Sequence, residues 1–359
     1  MILAPLSLSA QESGVENASE EHAEAAHEKS GLNIKELIFS HICDSYSWHV
    51  CTFNDVHFSL PLPCIVYDGG MKVFMSSKLG HEGHYTEYEG LKIAEEGIYS
   101  GKIVRVSDGS RPLDFSITKG VLAMMISSGL MLWIFLSIAA RYKENYWRKP
   151  SGMQAFLEPL IVSIEKDVIE PSVGPSGKKF TPYLLTVFFF ILINNYLGLI
   201  PGGANLTGNI TITLVLALLT FIITNVFATK HYWIEIFWPE VPTWLKVPIP
   251  LMPAVEIIGL FTKPFALCVR LFANMFAGHL TPIVLIGIIF MFAETSIGSA
   301  LGFSVLSCLV ITFLTLLECL VCFIQAYVFT LLSSIFIGLG QIHPHHSEGV
   351  KENNLIENK

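Results

Sequence analysis

The chain has 359 residues, 52% of them hydrophobic and only 14% charged, with a mean hydropathy of +0.55. Soluble globular domains carry about 25% charged residues, so the composition points to a membrane protein. The net charge of −8 is uneven: residues 1–117 hold 8 Lys/Arg against 17 Asp/Glu, and an acidic head on a near-neutral apolar body excludes a nucleic-acid binder, whose phosphate contacts need clustered Lys and Arg.

The stretch Met1–Ala10 combines a short apolar run with a small residue before Gln11, as at the end of a signal peptide, but has no basic n-region. Residues 11–30 are rich in Glu, Ala, Ser and His, a composition that predicts disorder. Residues 31–117 alternate β-like runs with turns, and Asp68-Gly69-Gly70 reads as a hairpin turn. Nothing in this polar head forms a catalytic pattern. Its cysteines, Cys43, Cys51 and Cys64, allow one disulfide if the head lies outside the cytoplasm. Cys319 and Cys322 resemble a C-x-x-C pair, but their apolar setting makes them small packing residues.

The first apolar run, about 121–140, is long enough to span a roughly 30 Å bilayer core. Arg141, Lys143, Arg148 and Lys149 follow it, so the positive-inside rule places the head outside and residue 141 onward in the cytoplasm. Over 151–171, apolar residues recur at helical spacing between Glu158, Glu165, Lys166, Asp167 and Glu170, which predicts an amphipathic interfacial helix. Pro159 fits best near its first turn. Spans at about 183–200 and 210–228 form a helical hairpin around Pro201-Gly202-Gly203. The Trp- and Pro-rich segment 231–250 reads as an interfacial loop. Two further apolar runs, about 254–292 and 301–341, are each near 40 residues, or about 60 Å as helix. Each is read as one long tilted helix, with a turn at 294–299 between them and a kink at 278–282 in the first.

The fold class that follows is an all-α polytopic membrane protein with about five transmembrane helices, an interfacial amphipathic helix and a small polar N-terminal extension with some β-structure. The segments are 1–30 (signal remnant and acidic disorder), 31–117 (extracytoplasmic extension), 118–341 (membrane domain) and 342–359 (cytoplasmic tail). His343, His345 and His346 belong to that solvated tail and are not read as metal ligands. The glycosylation-type triplets at Asn205 and Asn209 lie too close to the membrane to count.

Ionisable residues inside the long runs carry the chemistry, since each costs about 2.5–3.5 kcal/mol to place at membrane depth. Glu256, Lys263 and Arg270 are seven apart and form one helical stripe, with Asn274 about 40° away. His279 lies about 180° from Arg270 on a straight helix. Folding the two long runs as an antiparallel hairpin mirrors Arg270 onto Gln325 and His279 onto Glu318, both about residue 298. Arg270 cannot escape its cost by losing its proton, whereas a buried imidazole and carboxylate can pass a proton between them. Glu256 and Lys263 also read as structural partners of neighbouring helices, and Asn274 and Gln325 as packing hydrogen-bond residues.

The stretch Lys263-Pro-Phe-Ala-Leu-Cys-Val-Arg270-Leu-Phe-Ala-Asn274-Met-Phe-Ala-Gly-His279 closely resembles the fifth-helix signature of the F-type ATP synthase subunit a family. Gln325-Ala-Tyr-Val-Phe resembles its last-helix signature, and Asn194-Asn-Tyr-Leu-Gly-Leu-Ile-Pro201 with Gly208-Asn209-Ile-Thr-Ile-Thr-Leu its helical hairpin. The likeness covers about 118–340 and leaves 1–117 outside. It implies two long tilted helices wrapping a ring of c subunits, with Arg270 facing the ring. It also implies that His279, Glu318, Asn274 and Gln325 help form two offset aqueous half-channels, and Glu256, Lys263 and Asn209 are assigned to the same ion path. Some relatives place the carboxylate at the His279 position and the imidazole at the Glu318 position, and here the pair is reversed. The implied partners are the c ring, the b-subunit peripheral stalk, the rest of the synthase and the lipid of a cell inner membrane, with the C-terminus cytoplasmic. The implied function is ion translocation, with protons favoured by the His–Glu pair. No cofactor or metal and no catalysis by the chain alone are implied. Two other classes compete: a stand-alone secondary transporter, against which no internal repeat is seen, and a membrane scaffold or sensor.

Overall fold

In the computed structural model, which describes residues 44–53, 56–81, 84–94, 99–144, 149–174, 177–200, 203, 205–237, 251–295 and 297–341, short strands come first and long helices follow. These residues fall into two units, one holding 44–277 and 317–341, the other 278–316. The expectations for 1–30, Cys43, Arg148, the Trp238–Lys246 part of the Trp-rich segment and the tail histidines lie outside the described residues, as do Pro201 and Gly202.

In the first unit, β1 (Ser47–Phe53) pairs antiparallel with β2 (Val56–Pro61). The expected hairpin is β3 (Pro63–Tyr67) with β4 (Met71–Met75), in register from Tyr67–Met71 to Pro63–Met75. Gly69 takes φ +64 in its turn, a conformation that glycine adopts without steric cost. A 3-10 turn at Ser76–Leu79 leads to β5 (Gly80–His81), β6 (His84–Tyr85), β7 (Leu91–Ile93), β8 (Ile103–Arg105) and β9 (Leu113–Asp114), the last pairing with β3. Strand alternation sends Cys64, Val66 and Phe74 into a small core with Tyr46, Leu79, Leu91 and Ile103. Tyr46 donates its hydroxyl to Asp114, and Asp68 bridges Arg105 at 2.7 Å and Lys72 at 3.3 Å. The opposite sheet face is also apolar, with Tyr67, Met71, Val73, Met75 and Leu113 exposed. Cys64 is a buried free thiol and takes no part in the disulfide that the head cysteines allow.

The strand run feeds straight into α1 (Lys119–Glu144). Phe115 and Ile117 donate their amides to Ile65 and Pro63, and Asp44 Oδ1 accepts from Gly120 N at 2.9 Å, satisfying a first-turn donor. Arg141 and Lys143 sit in the last turn, where cations meet the negative end of the helix dipole.

The amphipathic segment is helical as expected but not uniformly so. It comprises α2 (Met153–Ser163), a π turn over Ile164–Ile169 and α3 (Glu170–Val173). Pro159 lies inside α2, six residues after Met153, and not near its first turn. One face, Leu157, Ile164, Val168, Ile169 and Val173, is buried. The burial of that face offsets the amide hydrogen bond that proline cannot donate.

Helix α4 (Gly177–Leu199) is the most enclosed, half of its apolar window being buried against 17% for α1. Phe188 and Phe189 are its centre: Phe189 packs edge-on against Phe135 of α1 at 4.9 Å, and Phe188 against Phe323 at 6.1 Å. Helix α5 (Ile210–Val226) has 17 residues, about 26 Å, and bends by 102° into α6 (Lys230–Phe237). The part of the Trp-rich segment described here is therefore helix and not loop.

The last elements are α7 (Leu251–Thr295) and α8 (Ile297–Gly340), of 45 and 44 residues, in keeping with two long helices. Helix α7 runs through Gly278 and Pro282 without a break; of the expected turn, 294–295 and 297–299 are helical, and 296 lies outside the described residues. Among the described residues, four helices are long and apolar enough to cross a membrane, five if α5 and α6 count as one. In the first unit, α8 approaches α3 so closely that a Cβ on Gly338 would stand 1.9 Å from Ser172 O. The second unit comprises the end of α7 and the start of α8, where Ser307 is buried while Cys308, Val305 and Leu309 are exposed.

Candidate functional site

Apolar helices that must stay together in lipid gain little from the hydrophobic effect and rely on packing and polar contacts. The first unit contains such a polar junction. Asn195, fully buried in α4, donates its amide to Cys322 O of α8 at 3.1 Å, and its carbonyl accepts from Thr207 Oγ1 at 2.7 Å. Asn205 reaches Met275 O of α7 at 3.4 Å, and its Oδ1 accepts from Gly208 N. Cys322 Sγ lies 3.9 Å from Met275 Sδ. Four segments thus meet through uncharged groups: α4, the loop before α5, α7 and α8. Residues 275 and 322 mirror about the same point near 298 as the sequence pairing did.

Around this junction α7 divides into two faces. Leu267, Cys268, Leu271 and Met275 are buried, with Thr213 of α5 lying 3.5 Å from Cys268 Sγ. The other face is open. Arg270 and Asn274 lie on it, exposed, with Ala266, Ala273 and Ala277 around them. Arg270 makes no ion pair or hydrogen bond among the described residues. An unneutralised guanidinium on an apolar helix with small neighbours leaves room for a close carboxylate partner from outside the chain.

Glu256 and Lys263 are half-buried on the same helix, and Lys263 Nζ stands 5.8 Å from the Phe336 ring centroid of α8. Gln325 is buried at 6% exposure, and no hydrogen bond joins it to Arg270 among the described residues. Glu318 is half-buried on the first-unit part of α8, and His279 half-buried on the second-unit part of α7. Asn209 has a local duty: it is the N-cap of α5, its side chain accepting from Thr211 N at 3.0 Å. Among the described residues no cluster of three or more His, Cys, Asp or Glu side chains could hold a metal.

Sequence reasoning quoted Asn194-Asn195 as a motif but gave neither residue a role. Their signal was available: two adjacent amides in the middle of an apolar span need partners. The partner's identity, 127 residues away, was not.

A span, a helical hairpin and two very long helices, one bearing an exposed arginine, define a polytopic membrane protein by length and composition. The model described as ATP synthase A chain matches residues 121–338. The chain belongs to this family. It is 38% identical over 330 residues to ATP synthase subunit a 2 of Prosthecochloris aestuarii, covering 90% of this chain and 84% of that one. With ATP synthase subunit a of Chloroherpeton thalassium it shares 41% identity over 66% of this chain and 69% of the relative. With that of Anaeromyxobacter dehalogenans it shares 40%, over 67% and 62%. A second model, described as a domain of unknown function, matches 37–115. Membership makes the chain a multi-pass, ion-translocating membrane subunit of the F-type synthase, not a catalyst by itself, and sets aside the transporter and scaffold readings.

Proposed function

We propose that Arg270 is the ring-facing cation of the stator and that Asn274, His279, Glu318, Gln325, Glu256, Lys263 and Asn209 belong to the ion path on either side of it. The observation that carries this is the exposed, unneutralised Arg270 on the open face of α7. The partner is the ring of c subunits, each bearing a carboxylate. A fixed cation within about 4–6 Å lowers a carboxylate pKa by about 1–3 units. A neutral ring site therefore releases its proton as it arrives at Arg270 and must be reprotonated before it moves into lipid. The same charge repels a proton passing directly between the two half-channels, so flow is coupled to rotation. A membrane potential adds about 2.3 kcal/mol per charge per 100 mV, and the chain turns this into torque.

His279 and Glu318 serve as the proton relay. The Met275–Cys322 contact falls on the mirror point from which the sequence derives their pairing. Asn209 contributes through the helix end that it caps. The head, residues 31–117, lies outside the cell inner membrane and the C-terminal tail in the cytoplasm, by the basic residues after α1. The b-subunit stalk completes the stator.

The test is Arg270→Ala in native membranes, with assembly checked on a native gel. Both ATP synthesis and ATP-driven acidification of inverted vesicles are expected to fall at least a hundredfold with the complex intact. Normal coupling in an assembled complex would remove Arg270 from the ion step.

A further inference from the structure

At the elbow between α5 and α6 the structure forms a partly open cavity of about 20 Å³, lined by Thr220, Thr224, Asn225, Tyr232, Lys263 and Phe336 among others. A polar cavity above about 10–15 Å³ holds one water if it offers two to four partners. This one offers three. Thr224 Oγ1 and Asn225 Oδ1 are buried and have no hydrogen-bond partner among the described residues, and Thr224 is only 6% exposed. Lys263 Nζ makes no ion pair or hydrogen bond among the described residues, and its contact with another group is the Phe336 ring. The orientation of Asn225 is set by its amide nitrogen, which donates to Phe221 O at 2.7 Å, so its oxygen is the end left over. The neighbouring hydroxyl is different: Thr220 donates to Leu216 O and shares a hydrogen bond with Tyr183. Among the lining residues the deficit thus falls on Thr224 and Asn225.

We infer that one ordered water is bound here, accepting from Lys263 and donating to Asn225 Oδ1 and Thr224 Oγ1. Donors and acceptors balance, since two acceptors and one cationic donor face a molecule with two protons and two lone pairs. Each orphaned group otherwise bears the cost of burial without a partner. The water links α7 to the last turn of α5 and hydrates Lys263, one stripe interval of seven residues from Arg270. The hydration site stands on its own geometry. Its part in translocation rests on the ion path proposed above.

The experiment is a cryo-electron microscopy map of the assembled complex, at a resolution where other buried waters are visible, for wild type and for the isosteric Thr224→Val and for Asn225→Leu. Density is expected in the cavity within about 3.2 Å of Thr224 Oγ1 and Asn225 Oδ1, and is expected to be lost in the variants. Its absence in wild type overturns the proposal, whatever pumping the variants retain. ATP-driven acidification is expected to fall about two- to tenfold in Thr224→Val, the size of losing one bridging hydrogen bond. Density in wild type with unchanged pumping in the variants upholds the water and removes this site from the ion path.

Discussion

Replacing Asn195 by leucine tests whether the polar junction holds the membrane helices together. The substitution removes two hydrogen bonds, to Cys322 O and from Thr207 Oγ1. It also strands the Thr207 hydroxyl, which is fully buried. Interhelical hydrogen bonds within membranes average about 0.6 kcal/mol and reach about 1.7, and a buried orphan costs about 1–3 kcal/mol. The expected destabilisation is therefore about 2–4 kcal/mol. Thr207→Val removes only one bond but strands Asn195 Oδ1, so it should cost about 1–3 kcal/mol. Once the partner is gone, the second change should cost little, which makes the double variant less destabilised than the sum of the singles by about 1–2 kcal/mol. Stability can be followed by SDS titration of the purified chain in mixed micelles, with tryptophan fluorescence as the signal. Additive effects, with coupling below about 0.5 kcal/mol, would show that the two residues do not act as a unit and would refute the junction as described.

Gly338→Ala should prevent α8 from seating on α3, because the clash is with Ser172 backbone and cannot be relieved by a rotamer change; loss of the assembled complex on a native gel is expected, and normal assembly would refute the close approach. Asp44→Ala removes the side-chain acceptor at the start of α1 and should cost about 0.5–2 kcal/mol, read in the same titration. Burial pushes the Cys64 thiol up to about 11. It should therefore resist a maleimide at pH 8 in the folded protein and react once SDS unfolds it, and fast labelling of the native form would contradict its place in the head core. Arg270→Lys keeps the charge but loses the planar fork, and ATP-driven acidification should remain well below wild type.

Much of the architecture is legible in the sequence. Hydropathy marked α1, α4, α7 and α8 because a bilayer demands about 20 apolar residues in one run, a requirement that does not depend on the neighbours. The β3–β4 hairpin was legible from Asp68-Gly69-Gly70 because the turn is local. Arg270 stood out because an arginine in an apolar run is costly wherever the helix packs. The Met275–Cys322 contact falls on the mirror point from which the sequence pairs Arg270 with Gln325 and His279 with Glu318.

Other features needed the fold. The π turn at Ile164–Ile169, the interior position of Pro159 and the helical start of the Trp-rich segment depend on which face each stretch buries. A local pattern does not decide that. The partner of Asn195 is a carbonyl 127 residues away, and the cavity beside Lys263 is lined by four helices at once. Sequence by itself determined the spans, the hairpin and the costly arginine, because those follow from the chain's own transfer energies and short-range geometry. The tertiary structure alone decided which buried polar groups meet, because a hydrogen bond is satisfied by distance and direction, and both exist only after the helices have packed.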